Sequence, residues 1–222
     1  MRVSIKVSLL ANLVVLRFVI ASVHIQHHYR LGDTYTYAEN KSTTTTNLLT
    51  GEINTQLEES VYIIRIVELD DPLTNSSAEY EKTYVSARFT PADDRATRRL
   101  LSQHTREYFF KETEFSLPEY SIGNRWLMKS ATNLDKLVTV TDIYESDEYD
   151  TEVIQFDIEI VGTIQSFNET MPNHYWIRKH LDLQTGMLLS EEITHKSTVI
   201  YSRLTDVTLK KLIKYRTHHH DL

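Results

Sequence analysis

The stretch Val153-Ile154-Gln155-Phe156-Asp157-Ile158-Glu159-Ile160 alternates apolar and polar side chains, and the pattern continues through Ile164 to Phe167. A strand places successive side chains on opposite faces, so this alternation buries one side and wets the other. Antiparallel sheets with one solvated face produce such strands. The sequence therefore predicts a strand from Val153 to Phe167, with its isoleucines and Phe156 on the buried side.

The segment that follows predicts a hairpin whose register can be specified. We expect a three-residue loop, Gln184-Thr185-Gly186, in which glycine supplies a positive φ. Apolar residues then face apolar residues and opposite charges meet, each pair contributing roughly 0.2–1 kcal/mol. The expected pairs are Leu183–Met187, Leu181–Leu189, Lys179–Glu191, Ile177–Ile193, Tyr175–His195, Arg178–Glu192 and Trp176–Thr194.

Strand-forming patterns recur along the rest of the chain, which has 13 Tyr and many Thr and Val/Ile residues. Such β-branched and aromatic side chains favour a pleated surface. We expect a turn at Leu49–Glu52. Further strands are expected over Tyr29–Tyr37 with an extended Ser42–Thr46, and over Ile53–Val67, Tyr80–Phe89 and Leu137–Tyr144. The final strand, about Thr198–Leu209, is expected to end in the basic segment Lys210–Arg216.

Thr90-Pro91-Ala92-Asp93 has the residue types of a helix start. Thr90 can cap, Pro91 suits the first helical position, and Asp93 adds an acidic first turn. We predict one clear helix over about 91–111. Its apolar side would hold Ala96, Leu100, Leu101, His104, Tyr108 and Phe109.

Two segments resemble known extracytoplasmic proteins. Asp182-Leu183-Gln184-Thr185-Gly186-Met187-Leu188-Leu189 and its flanking strands (175–209) resemble the closing hairpin of lipoprotein-carrier-like half-barrels. Gly32-Asp33-Thr34-Tyr35-Thr36-Tyr37 is similar to the opening strand of uncharacterised extracytoplasmic archaeal β-rich proteins. The resemblance implies a mainly β (α+β) fold, a curved antiparallel sheet or half-barrel with one helix packed on it. In the carriers, this sheet holds acyl chains.

The first 23 residues match the layout of a secretory signal. Arg2 and Lys6 precede an apolar run of about ten residues, and small residues follow near Ala21, where Val19-Ile20-Ala21 would serve for cleavage. Arg17 makes the segment a poor membrane span, since a central Arg costs roughly 2.5–3.5 kcal/mol. The alternative is a strand or short helix of a cytosolic core. The domains are thus 1–23 as signal or membrane segment, 24–216 as one β-rich domain and 217–222 as a polar tail.

Asn-x-Ser/Thr sites at Asn40, Asn75 and Asn168 would accept glycans in an exported protein. All three are expected in loops or at strand ends. We therefore expect an extracytoplasmic, secreted or membrane-anchored glycoprotein.

Composition excludes several kinds of site. The chain has no Cys, which removes disulfides, thiolate metal centres and cysteine nucleophiles. Its five Gly residues are scattered, so phosphate-cradling loops are absent. The net charge of −7 disfavours nucleic acid as a partner. We expect no cofactor.

Three groups of polar residues are candidates for functional sites, but each has a simpler structural interpretation. His174, His180 and His195 lie on the predicted hairpin; the first two share a face with Trp176 and the third lies opposite, which favours surface histidines over a metal site. The acidic run Glu145–Glu152 is expected to be a solvated loop. Arg95, Arg98, Arg99 and Arg106 are expected on the wet side of the helix.

The favoured function is a non-enzymatic, extracytoplasmic binding or surface-assembly domain that holds an apolar, lipid-like ligand. Membrane contact through the N-terminus is expected if that segment is retained. Alternatives are a secreted hydrolase using acidic residues and a cytosolic β-rich interaction protein. The candidate ligand-lining residues, which serve equally as core, are Tyr35, Tyr37, Trp126, Phe156 and Tyr175.

Overall fold

The structure, a computed structural model, describes residues 29–69, 78–109, 119–128, 135–166, 169–199 and 201–216. Within those ranges the chain forms ten strands and a single helix, α1 (Asp94–Leu101). The strands are β1 (Thr34–Asn47), β2 (Ile53–Leu69), β3 (Ala78–Thr90), β4 (His104–Phe109), β5 (Arg125–Met128), β6 (Asp135–Ser146), β7 (Thr151–Ser166), β8 (Glu169–Asp182), β9 (Leu188–Val199) and β10 (Ser202–Arg216).

All ten strands belong to one antiparallel sheet in the order β4-β3-β2-β1-β10-β9-β8-β7-β6-β5. The sheet is curved and does not close, which confirms the predicted fold class. The first and last strands lie side by side in its centre, paired from Thr34–Arg216 to Asn47–Ser202. Two hairpin meanders therefore extend outward from the β1–β10 pair to the edge strands β4 and β5.

Strand pairing divides the sheet into two faces. We call inner the face that carries Tyr35, which lies opposite Ile64 of β2 and Tyr215 of β10. The outer face carries the alternate residues, such as Asn40 and Arg178. Phe156 and Lys179 are directly paired and belong to the inner face. Most of the buried side chains lie on this face, as expected when only one side of a sheet is covered.

The buried apolar residues form two clusters. The tyrosine cluster comprises Tyr35, Tyr37, Tyr62, Ile64, Ile66, Ala78, Tyr80, Val153, Leu189 and Leu212. The Phe156 cluster comprises Tyr120, Val138, Val140, Ile154, Phe156, Ile158, Leu181 and Leu183. The strand β7 contributes to both clusters, with Val153 in the tyrosine cluster and Ile154, Phe156 and Ile158 in the Phe156 cluster.

The strand predicted over Val153–Phe167 is confirmed as β7, and its Ile154, Phe156 and Ile158 are buried. The predicted hairpin register is also confirmed in the part of the hairpin away from the turn, from His180 back to Tyr175. It includes the pairs Lys179–Glu191, Ile177–Ile193 and Tyr175–His195.

Near the turn, the predicted register of this hairpin is wrong by one residue. Leu181 pairs with Leu188 rather than Leu189, and the register shifts between His180 and Leu181. The Asp182 N–H donates to the Met187 carbonyl, so the loop is one residue longer than predicted. Gly186 does have the expected positive φ, +69°. Leu189 forms a bulge on β9, and this extra residue compensates for the longer loop, so the pairing returns to the predicted register at His180. The side chain of Leu189 is buried in the tyrosine cluster.

The helix predicted over 91–111 is too long. It spans only Asp94–Leu101, and its cap is Asp93, whose Oδ1 accepts from the Arg95 and Ala96 N–H groups at 3.0 and 2.9 Å. The residues from His104 to Phe109 form β4 instead, pairing with β3. This segment carries Thr105, Tyr108 and Phe109, types that favour strands, and it covers backbone groups that β3 would otherwise expose at the sheet edge.

Two further segments differ from their predictions. Arg125–Met128, where the sequence predicted no strand, forms the short edge strand β5. The final strand begins at Ser202 and runs on to Arg216, so the basic segment Lys210–Arg216 belongs to the sheet. The predicted tail, 217–222, and the N-terminal segment, 1–23, lie outside the described residues.

Candidate functional site: the inner face and the cavity beside the helix

A row of charges crosses the middle of the inner face. Register places Glu39, Lys210, Glu191 and Lys179 side by side on four neighbouring strands. Glu191 Oε2 lies 2.9 Å from Lys210 Nζ, and its Oε1 lies 3.6 Å from Lys179 Nζ. Burial alone would raise the pKa of Glu191, but the two lysines outweigh it and hold the pKa below the ordinary value of 4.5.

The tyrosines predicted to line a ligand site lie within the tyrosine cluster. Tyr35 and Tyr37 are 4% and 3% exposed, too little to contact a ligand without displacing their neighbours. Tyr35 stacks on Tyr215, and Tyr37 stacks on Tyr62 and donates its hydroxyl to the Leu188 carbonyl at 2.9 Å. Burial raises the pKa of both phenols, so they stay neutral. Tyr35 and Tyr37 are core residues.

Trp126 and Phe156, also predicted for the ligand site, pack in the other half of the sheet. Phe156 is completely buried and makes edge-to-face contacts with Tyr120, at 5.5 Å between ring centroids, and with Trp126, at 6.3 Å. The structure therefore puts the predicted aromatic residues on one face but in separate clusters. They do not form one continuous pocket wall.

Tyr175, the remaining predicted residue, stacks parallel to His195 with 4.1 Å between ring centroids. His195 Nδ1 lies 3.3 Å from Asp206 Oδ2, and its Nε2 lies beside Asn173 Oδ1. The side chain of His195 is 14% exposed, so the prediction of a surface histidine is wrong here. His174 and His180 do share the outer face with Trp176, as predicted.

The Asp206–His195 pair resembles the base and orienting carboxylate of a hydrolase, but its geometry suits a structural role better. A general base needs a ring nitrogen directed at the substrate. Both nitrogens of His195 already face oxygen acceptors within the sheet. The sequence missed Asp206 because its pairing with His195 depends on the β9–β10 register, which was not predicted.

A cavity of about 570 Å³ lies between α1 and the inner face of β2 and β3. That size is within the range of small-molecule sites, about 300–1,000 Å³. The strands contribute Gln56, Glu58 and Phe89, and the helix side contributes Asp93, Arg95, Ala96, Arg99 and Leu100. The short helix thus forms one wall of a site whose floor is the sheet.

The polar groups in this cavity differ in what they are free to bind. The Asp93 carboxylate is occupied as the cap of α1. Burial raises the pKa of Glu58, while Lys41 and Lys82 nearby act in the opposite direction. Arg95 and Arg99 have no carboxylate within ion-pairing distance among the described residues. Those two guanidinium groups remain available to an anion.

The sequence pointed to Arg95 and Arg99 but not to their role. They were assigned to the wet side of the helix, and they are indeed exposed. Only the position of α1 over β2 and β3 brings them to the same cavity as Phe89 and Leu100.

The three predicted glycosylation sites have different outcomes. Asn40 is exposed on the outer face, but it lies in the middle of β1, paired with Glu59 and Leu209, not at a strand end as expected. The predicted strand ended at Tyr37, which placed Asn40 just beyond its end, whereas β1 continues to Asn47. Asn75 and Asn168 lie outside the described residues.

The acidic run Glu145–Glu152 lies at the β6–β7 hairpin, where residues 147–150 form the turn and the flanking residues belong to the two strands. Its carboxylates are exposed, as predicted. Glu148 pairs with Lys211 there. In the part of the chain that the structure describes, there is no group of three or more His, Asp or Glu arranged to hold a metal ion. Within the same ranges, no helix has the length and apolar character needed to cross a membrane.

No protein-family model matches this chain, and no curated protein matches its sequence.

Proposed function

We propose that this protein is a non-catalytic, extracytoplasmic binding domain that holds an anionic amphiphile, such as a fatty acid, between α1 and the sheet. The cavity of about 570 Å³ carries the proposal. Its walls combine apolar side chains, Phe89, Ala96 and Leu100, with the guanidinium groups of Arg95 and Arg99. An acyl chain would contact the former, and a carboxylate would bind the latter.

The proposed site beside α1 is not the aromatic surface that the sequence suggested, because it is lined by different residues. The aromatic residues deep in both clusters stabilise the sheet, and the charge row across its centre is unsuited to an acyl chain. Beside α1, apolar and cationic side chains share one cavity. A ligand with both characters fits there better than a purely apolar one.

Dodecanoate binding, followed by isothermal titration calorimetry, tests the site. Arg95→Gln and Arg99→Gln should each weaken binding about tenfold, because a charge-assisted hydrogen bond to the carboxylate is lost. Ala96→Trp should abolish binding by filling the cavity.

The helix supplies matched controls for these variants. Arg98 is exposed on the same helix but does not line the cavity, and neither does Ala92, which precedes the helix. Arg98→Gln and Ala92→Trp should bind dodecanoate like the unchanged protein. Equal loss in Arg98→Gln and Arg99→Gln would show a nonspecific effect of charge, and no binding to the unchanged protein would reject the site.

The extracytoplasmic location is part of the proposal and has its own test. The basic, apolar and small-residue regions before Ala21 support export. Intact mass measurement of the protein from its native source should show a chain that lacks residues up to about Ala21. A native chain that retains its first residues and is recovered without membranes would contradict export.

A further inference from the structure

Four large apolar side chains are exposed at the turns of two neighbouring hairpins. They are Leu48, Leu49, Ile53 and Tyr201, with exposed fractions of 47%, 71%, 67% and 59%. Leu48 and Leu49 belong to the β1–β2 turn, Ile53 is the first residue of β2, and Tyr201 belongs to the β9–β10 turn. The Leu48 N–H donates to the Tyr201 carbonyl at 2.6 Å, so the two turns are in contact. We call this patch the apolar tip.

Every backbone N–H group from Asn47 to Glu52, in the β1–β2 turn, is hydrogen-bonded within the protein. Asn47 organises the turn: its Oδ1 accepts from the Leu49 and Thr50 N–H groups at 2.9 and 3.1 Å, and its carbonyl accepts from Gly51 at 2.8 Å. The N–H groups of Asn47, Leu48 and Glu52 are also bonded. A turn whose N–H groups are satisfied can leave water for a less polar medium at lower cost.

The charge around the apolar tip differs from that of the whole chain. The segments 42–56 and 196–205 carry only Glu52, Lys196 and Arg203 as charged residues, a balance of +1 in a chain of net charge −7. Uncharged Thr, Ser and Asn residues fill most of the remaining positions. Few carboxylates therefore oppose approach to phosphate headgroups.

We propose that the apolar tip inserts into the interfacial region of a phospholipid bilayer. Leu and Ile would reach the acyl boundary, and Tyr201 would lie at the headgroup level, where its ring and hydroxyl suit both environments. A stable protein interface buries about 800 Å² on each partner with some 20–30 residues. A patch of four side chains on two turns is far smaller, which favours lipid over a protein partner.

This inference is independent of the proposed ligand, although the two sites lie at the same end of the sheet. Gln56 in the cavity follows Ile53 of the tip by three residues, or about 10 Å along β2. A tip held at a membrane would bring the cavity close to a source or acceptor of amphiphiles. The test below uses no added ligand, so its outcome does not depend on the cavity.

A tryptophan placed at the tip reports insertion directly. In the full chain, the tryptophan of the Leu49→Trp variant should show blue-shifted emission with phosphatidylcholine vesicles. Its emission should be quenched when the acyl chains carry bromine. The emission of Trp126 and Trp176 is removed by subtracting the spectrum of the unchanged protein under the same conditions. The control is Leu127→Trp: Leu127 is 54% exposed on the edge strand β5, and its variant should be unaffected. This local readout separates the tip from any binding through the N-terminus.

Two results would overturn the proposal. One is equal emission of Leu49→Trp with and without brominated vesicles. The other is a blue shift that grows with protein concentration in the absence of lipid and that vesicles do not change, which would identify a second copy of the chain as the partner. Far-ultraviolet circular dichroism should show the same β-sheet content in both variants, because both positions are exposed.

Discussion

Replacement of Phe156 by alanine should lower the free energy of unfolding by about 3–5 kcal/mol, as is typical for a large aromatic residue removed from a packed core. Phe156 is completely buried, and its ring packs against the rings of Tyr120 and Trp126, which also contact each other. The sheet backbone on both sides of β7 fixes the surrounding side chains, so the cavity left behind cannot collapse fully. Urea unfolding followed by circular dichroism measures the change.

Phe89→Ala is the matched control for this effect. Phe89 also lies on the inner face, but it is only partly buried and lines the cavity beside α1. Its loss should cost about 1 kcal/mol, since little apolar surface returns to water. Equal destabilisation by the two substitutions would contradict the distinction between a core phenylalanine and a cavity wall.

The second large effect is expected at Glu191. Glu191→Gln removes the carboxylate that the ammonium groups of Lys179 and Lys210 share. The side chains of Glu191 and Lys179 are only 9% and 11% exposed, so water replaces this contact poorly. Breaking a buried ion pair costs about 3–5 kcal/mol, and the partial exposure of Lys210 places the expected loss near the lower limit. Urea unfolding at pH 7 measures it.

Glu192→Gln controls for the loss of a negative charge from β9. Glu192 is the next residue, lies on the outer face and pairs in register with Arg178. That guanidinium is already held by both oxygens of Asp157, at 2.8 and 2.9 Å. Glu192→Gln should therefore cost at most about 0.5 kcal/mol. We call Lys179, Glu191 and Lys210 the charged triad. A similar loss of stability in both variants would show that the charged triad contributes no more than an exposed ion pair.

The same charged triad predicts a dependence on pH. Because the pKa of Glu191 is lower in the folded protein than its ordinary value of 4.5, the ionised form stabilises the fold above that pH. The stabilisation is lost as the pH falls below 4.5 and through the lower folded-state pKa. The stability difference between the unchanged protein and Glu191→Gln should shrink over this window, and a constant difference would contradict the assignment.

Local sequence patterns predicted the strands that have one wet face and a clear turn. The β7 strand and most of the β8–β9 register followed from side-chain alternation and from pairing of Lys179 with Glu191 and Ile177 with Ile193. Alternation is a property of the strand itself, so it is visible without knowing the neighbours. The bulge at Leu189 was not visible, because it depends on how the turn meets the tyrosine cluster.

The segment after Asp93 shows where local pattern fails. Ala96, Leu100, His104 and Tyr108 have helical spacing, and helix α1 does begin there. Beyond Leu101, pairing with β3 is more favourable than another helical turn, since an edge strand has unsatisfied backbone groups. A competition between a helix and a distant strand cannot be resolved from the spacing of one segment.

The fold class and the candidate sites differ in how far the sequence determines them. The sequence by itself determined that this chain makes a mainly antiparallel sheet with one apolar face, because period-two alternation requires only the geometry of a single strand. Only the tertiary structure decided which residues meet. The pairing of β1 with β10 brings Lys210 beside Glu39 and Leu48 to Tyr201, across most of the length of the chain. The placement of α1 over β2 turns two surface arginines into part of a cavity, a contact that no local pattern encodes.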